Sequence, residues 1–446
     1  MTVSALAVLI APPLYLLLDL AVVGRLGGAE LAALGVGTLV LSIVSTQLTF
    51  LSYGTTARSA RRFGSGDRPG AVLEGVQASW IAVAVGILIV AVTYPCAPVV
   101  MRVLVGTAAP ESAAVADDAA GWLRIAIFGV PLILLSMAGN GWMRGVQDTR
   151  RPVVYVVVGL SVAAVLVVGL VHGVGPFPRL GLDGSAVANV IGQGLTGLLF
   201  AVRVSREARR VSVADASDGG PGVGAFTPDW SIIRAQLVMA RDLVVRSLSF
   251  QICFVSAAAV AARFGVAQVA AHQLVLQLWE FMALFLDSLA IAAQALVGAA
   301  LGAGRLGVAD SVARRVTVVS LIAATAMAAI FAAGATLIPR IFTSDASVLD
   351  AVGVPWWFFV GMLPIAGVVF ALDGVLLGSG DAAFLRTATL TGALVGFLPL
   401  IWLSLVFDWG LAGVWSGLVV FMLVRLATVV WRIRSGRWRQ AGAVRA

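Results

Sequence analysis

Asp19 stands inside LLLDLAVVGRLGG, residues 16 to 28, as a carboxylate within an apolar run near the start of the chain. A charged side chain near a bilayer centre costs ~2.5 to 3.5 kcal/mol on insertion scales, so such a residue faces a partner or a cavity. Desolvation favours the protonated form of a carboxylate. A carboxylate in a low-dielectric cavity is therefore suited to take and release protons near neutral pH, and Asp19 is the candidate proton-coupling group. The competing role is structural, a hydrogen bond or an ion pair with an arginine such as Arg246.

A second set of polar residues shares one segment. Gln273, Gln277, Glu280, Asp287 and Gln294 follow one another at spacings of 4, 3, 7 and 7, which places them on one face of a helix. Glu280 and Asp287 could attract a cation there; the stripe could equally be a polar seam joining helices. Ser185, Asn189 and Gln193 recur every four residues on another segment. Asn140 and Asp373 lie near the ends of two more, beside Gly141, Gly145, Gly374 and Gly378, so helix termination and tight turns are their expected work. The solute-pathway candidates are Asn140, Asn189, Gln193, Gln273, Gln277, Glu280 and Asp287.

The elements that must position these residues follow from composition. Of 446 residues, 60% are hydrophobic and 12% charged, against roughly 45 to 50% and about 25% in soluble domains. Apolar runs long enough to cross about 30 Å of hydrocarbon recur throughout. The expected spans are 2 to 24, 31 to 57, 75 to 104, 119 to 143, 152 to 172, 182 to 203, 242 to 263, 268 to 300, 311 to 338, 350 to 377, 384 to 406 and 410 to 431. The fold class is thus all-α integral membrane with 12 spans. The first run lacks a basic leader and is expected to stay as the first helix rather than be cleaved.

Net charge is +8, and every basic side chain counted in it is arginine. Arginines such as Arg58, Arg61, Arg62, Arg144, Arg150, Arg209, Arg314 and Arg434 cluster at alternate span ends. The positive-inside rule then puts both termini in the cytoplasm and makes the basic character mostly topological, with no nucleic-acid partner implied. Cys96 and Cys253 have no paired spacing and read as small core residues, and His172 and His272 are isolated, which leaves no metal cluster. His272 is expected to be a satisfied core residue. No HExxH, GxSxG or Walker A motif occurs in a fitting context, so an integral membrane enzyme lacks its constellation and any energy input must be an ion gradient.

The polar stretch 205 to 240, containing VADASDGGPGVGAFTPD, reads as a flexible cytoplasmic linker. It divides the chain into an N-terminal lobe (1 to 204), a C-terminal lobe (241 to 433) and a basic tail (434 to 446). The lobes repeat. RLGGAELAA at 25 matches RFGVAQVAA at 263, NGWMRGVQD at 140 matches DGVLLGSGD at 373, and GLDG at 181 matches GLAG at 410, with offsets drifting from 238 to 233 to 229. Six spans per lobe give both the same orientation, hence pseudo-symmetry about the membrane normal and a central cleft between two bundles. The position equivalent to Asp19 in the second lobe is Ala257.

PLYLLLDLAVVGRLGGAELAALGVG, GTTARSARRFGSGD, GWMRGVQDTRRP, AAHQLVLQLWEFMALFLDSLAIAAQALVGAALGAG and LDGVLLGSGDA, in this order, resemble the multidrug and toxic compound extrusion (MATE) family in its DinF-like branch. The resemblance implies two six-helix bundles around a cleft of alternating access. It implies export of cationic, amphipathic small molecules in exchange for protons or sodium, without a further cofactor. It also implies a monomer in the bacterial plasma membrane, with Asp19 as the proton-binding group. Many relatives carry an Asn and an Asp four apart in span five, where this chain has Ala163 and Val167. A flippase for a lipid-linked precursor is the other reading, and it would need a cleft rich in arginine.

Overall fold

In the computed structural model, residues 2–106, 109–217 and 226–443 are described. They form 12 helices long and apolar enough to cross a membrane. Spans one to six are Thr2–Val23, Gly28–Gly64, Arg68–Val105, Pro110–Gly145, Arg150–His172 and Leu182–Val213; spans seven to twelve are Trp230–Phe264, Val266–Gly302, Leu306–Ala333, Ala346–Gly378, Ala382–Val406 and Gly410–Arg434. Large apolar side chains such as Leu17, Ile87, Leu88, Val165, Ile322 and Trp402 point outward. A helix apolar all round suits a chain whose solvent is hydrocarbon.

Local chemistry sets the ends and breaks. Asp67 accepts from the Gly70 amide at 2.8 Å and starts span three, and Asp345 accepts from the Ser347 amide at 2.9 Å and starts span ten. Span nine ends at Ala333 rather than near 338, because Gly334 stops it and Pro339 opens a separate short turn, Ile338–Phe342. Pro12 and Pro13 lie inside span one, where each removes a backbone donor. Span eleven widens to a π-helical stretch at Gly392–Phe397.

The chain forms two compact units: Val3–Ser59 with Asp67–Leu237, and Ala60–Gly66 with the chain from Val238 onward. The first is built on a core that includes Val23, Trp122, Leu123, Ile127 and Leu134; the second on Phe331, Trp356, Phe359, Phe397 and Trp415. Both contain the same close helix crossing. A Cβ on Gly141 would strike the Ser52 backbone, and one on Gly374 would strike the Ala290 backbone. Gly374 and Ala290 stand 233 and 238 residues after Gly141 and Ser52. These are the offsets of the sequence repeat, so the repeat extends to how each unit is packed.

Three expectations change. The stretch read as a flexible linker is helical up to Ser217 and again from Trp230, while residues 218–225 lie outside the described part. Its C-terminal end is tied to span three. Gln77 donates to the Thr227 carbonyl at 2.9 Å and accepts from the Asp229 amide at 3.0 Å, and the Trp80 indole donates to the Phe226 carbonyl at 2.9 Å. Arg61, read as a topological charge, is buried and donates to the carbonyls of Ser379, Gln440 and Gly442 at 3.1, 2.7 and 3.2 Å. Cys96 is exposed on span three rather than in the core, whereas Cys253 is buried.

Candidate functional site

Span one carries Asp19 into the interior of the first unit, where its exposure is 0%. Its Oδ2 accepts from the Ser185 hydroxyl of span six at 2.9 Å, and Ser185 Oγ in turn accepts from the Trp122 indole of span four at 3.2 Å. Asp19 Oδ1 has no hydrogen-bond partner among the described residues. Nor does any arginine pair with Asp19 there. The anticipated partner, Arg246, lies in the second unit and binds Asp373 instead. Ala163 and Val167 of span five are buried in the apolar core and offer no polar group.

One turn before Asp19, Tyr15 lines a cavity of about 350 Å³ in the same unit. Asn140, Asn189, Gln193, Ser52 and Arg144 are also on its wall. Tyr15 Oη, Ser52 Oγ and Asn140 Oδ1 are buried and have no partner among the described residues. A solute could satisfy them, since buried polar atoms are rarely left unbonded. The spacing of four in span six thus divides its residues between two tasks: Ser185 meets Asp19, while Asn189 and Gln193 face the cavity. Tyr15, Ser52 and Arg144 were not singled out from the sequence. Tyr15, four residues before Asp19 and on the same helical face, carried the only readable signal.

A second cavity of about 220 Å³ lies in the second unit, with Arg246, Glu280 and Arg425 as its charged lining and Phe250, Trp279 and Phe421 among its walls. Asp373 of span ten accepts from Arg246 of span seven at 2.6 Å and from Arg425 of span twelve through the same oxygen, Oδ2. The Arg425 guanidinium lies over the Phe250 ring, 4.8 Å from its centroid. Asp373 therefore does not terminate a helix: it lies five residues inside span ten, where two cations from other spans converge on it. Asn140 likewise lies within span four, on the cavity wall, rather than ending the helix, and the adjacent Gly141 and Gly374 serve close helix packing.

The span-eight stripe is divided by burial. Gln273, Gln277 and Glu280 are exposed on the helix surface, Asp287 is half-buried, and Gln294 is buried with its backbone against Gly378. Of the five, only Glu280 lines the second cavity, and Gln273, Gln277 and Asp287 line neither. His272 is a core residue with its ring edge-on to Trp415 at 5.8 Å, but neither ring nitrogen has a hydrogen-bond partner among the described residues.

A family model described as MatE matches residues 5–168 and 243–403. Protein DETOXIFICATION 44, chloroplastic, of Arabidopsis thaliana is 30% identical over 98% of this chain and 82% of its own length. DNA damage-inducible protein F of Escherichia coli (strain K12) is 28% identical over 96% of this chain and 90% of its own. Among solved structures, a MATE protein in the bent conformation superposes with a TM-score of 0.85 at 21% identity, covering 98% of this chain and 94% of that one. The matched family segments take in Asp19, Asn140, the span-eight stripe and Asp373, and the twelve-helix fold is that of the solved relatives. The chain belongs to the MatE family, and is a multi-pass membrane transporter.

Proposed function

We propose that the protein exports cationic, amphipathic small molecules in exchange for protons, with Asp19 as the proton carrier. It would do so as a monomer in a bacterial plasma membrane, with both termini cytoplasmic. One observation carries this reading: Asp19 is fully buried, and the partner bonded to its carboxylate is the neutral hydroxyl of Ser185. A buried carboxylate without a cation opposite it is costly when charged. Carrying a proton removes that cost.

The donor set supports protons over sodium. Hard cations surround themselves with about six oxygens, whereas the Asp19 carboxylate meets one hydroxyl, and span five supplies the apolar Ala163 and Val167, both buried in the core. The mechanism is competition between proton and substrate. Protonation of Asp19 from outside removes the negative charge of this carboxylate and weakens the unit's hold on a cation in the cavity beside Tyr15. Loss of that proton to the cytoplasm restores the negative charge and the affinity.

In inside-out vesicles carrying an imposed pH gradient, the wild-type protein is expected to transport a cationic dye and Asp19→Asn to transport none. A sodium gradient alone should drive neither. Full pH-driven transport by Asp19→Asn would sink the proposal.

A further inference from the structure

The second-unit cavity carries chemistry that a pathway for cations alone does not require. Two guanidiniums, Arg246 and Arg425, converge on the single oxygen Asp373 Oδ2. One carboxylate cannot neutralise two guanidiniums, so an excess of positive charge remains at this end of the cavity. Donor capacity is also left over, because each guanidinium has five N–H donors. Arg246 Nε is buried without a partner among the described residues, and the Arg425 donors that are bonded reach Asp373 and, weakly, the Met422 sulfur at 3.9 Å.

Glu280, on span eight, lines the same cavity and forms no ion pair with either arginine among the described residues. The cavity therefore has a positive pole and a separate carboxylate. The rings of Phe250, Trp279 and Phe421 also line it, and both guanidiniums lie over the Phe250 ring. Aromatic walls suit a flat apolar body, and guanidiniums suit a planar oxyanion through paired hydrogen bonds.

We infer that this cavity binds zwitterionic amphipaths, with the ligand's acid group held by Arg246 and Arg425 and its basic group placed toward Glu280. The acid group would compete with Asp373 for Arg246, which is the more exposed of the two arginines, at 17% against 3% for its side chain. The inference rests on the solute-export reading but not on the proton role of Asp19, since it concerns binding at equilibrium.

The test uses two dyes with one body: rhodamine B, which carries a carboxylate and a cationic xanthene, and its ethyl ester, which keeps only the cation. Their affinities for the purified full chain in detergent are read by fluorescence anisotropy. The wild type should bind the acid about tenfold more tightly than the ester, the ratio expected from one charge-assisted hydrogen-bonded contact. Arg246→Gln should bring that ratio to about one. Asp373→Asn, which removes the competitor and leaves both arginines, should keep the ratio or raise it, and remains informative if Arg246→Gln does not fold. Glu280→Gln should weaken both dyes alike. Equal affinities in the wild type, a ratio that survives Arg246→Gln, or a ratio lost in Asp373→Asn would overturn the inference. Failure of Asp19-dependent dye efflux with the binding ratio intact would instead count against proton coupling alone.

Discussion

At the scale of single residues, the chemistry of the first unit comes down to what surrounds one carboxylate. Ser185 is bonded to Asp19 and is itself fixed by Trp122, so the serine cannot turn away from the carboxylate without leaving the indole N–H unbonded. Ser185→Ala removes a hydrogen bond to a charged group, a change expected to slow dye exchange about tenfold in vesicles where Asp19→Asn abolishes it. Wild-type rates in Ser185→Ala would show that the serine only fills space. Asp19 was readable in the sequence because a charge in an apolar run is costly, and Ser185 because the spacing of four put it on a polar face. Asp373 was misread as a turn residue because its partners come from spans seven and twelve. Sequence proximity to Gly374 and Gly378 gave the wrong neighbour, and only folding brings Arg246 and Arg425 to it.

At the scale of helices, close approach is paid for with glycine and entry with a cap. Gly141 and Gly374 allow backbone-to-backbone contact at equivalent crossings, so Gly141→Val and Gly374→Val should each destabilise the purified protein by about 1 to 3 kcal/mol through overpacking. Thermal unfolding in detergent reads this, and an unchanged midpoint in either variant would mean that the crossing relaxes. Asp345, outside the membrane span it caps, accepts from the amide and hydroxyl of Ser347, and these hydrogen bonds hold its carboxyl below the usual carboxylate range. A depressed folded-state pKa means the cap's contribution is present above the ordinary carboxylate value of about 4 and is lost as pH falls through the lower folded value. Amide exchange at Ser347, corrected for its intrinsic pH dependence, should therefore stay protected at pH 5 and lose protection in stronger acid, and Asp345→Ala should lose it throughout. The number and order of the spans were legible from hydropathy, but several helices run past the expected ends, as span seven does by starting at Trp230 rather than at 242. The polar stretch after span six was less so, because Gly and Pro mark its centre while the anchoring of Phe226, Thr227 and Asp229 on span three is a long-range contact.

At the scale of the whole molecule, a repeated fold carries unrepeated chemistry. The two units share the glycine crossing and six-span plan, yet the first holds a buried carboxylate, Asp19, with no arginine partner among the described residues, near a cavity lined by hydroxyls, amides and Arg144, and the second an arginine-rich cluster around Asp373. The position equivalent to Asp19 is Ala257, buried in the apolar core of the second unit. The repeat was visible in the sequence because packing glycines recur at fixed offsets, while the division of labour was not, since each cavity draws side chains from several spans. If proton and cation compete through Asp19, substrate binding must itself displace a proton. The most direct measurement is proton release from the purified protein in mildly acidic, weakly buffered solution on addition of a cationic dye, followed with a pH indicator. About one proton should be released per dye bound by the wild type and none by Asp19→Asn; dye binding by the wild type without proton release, or equal release by Asp19→Asn, would contradict competition between proton and cation at Asp19.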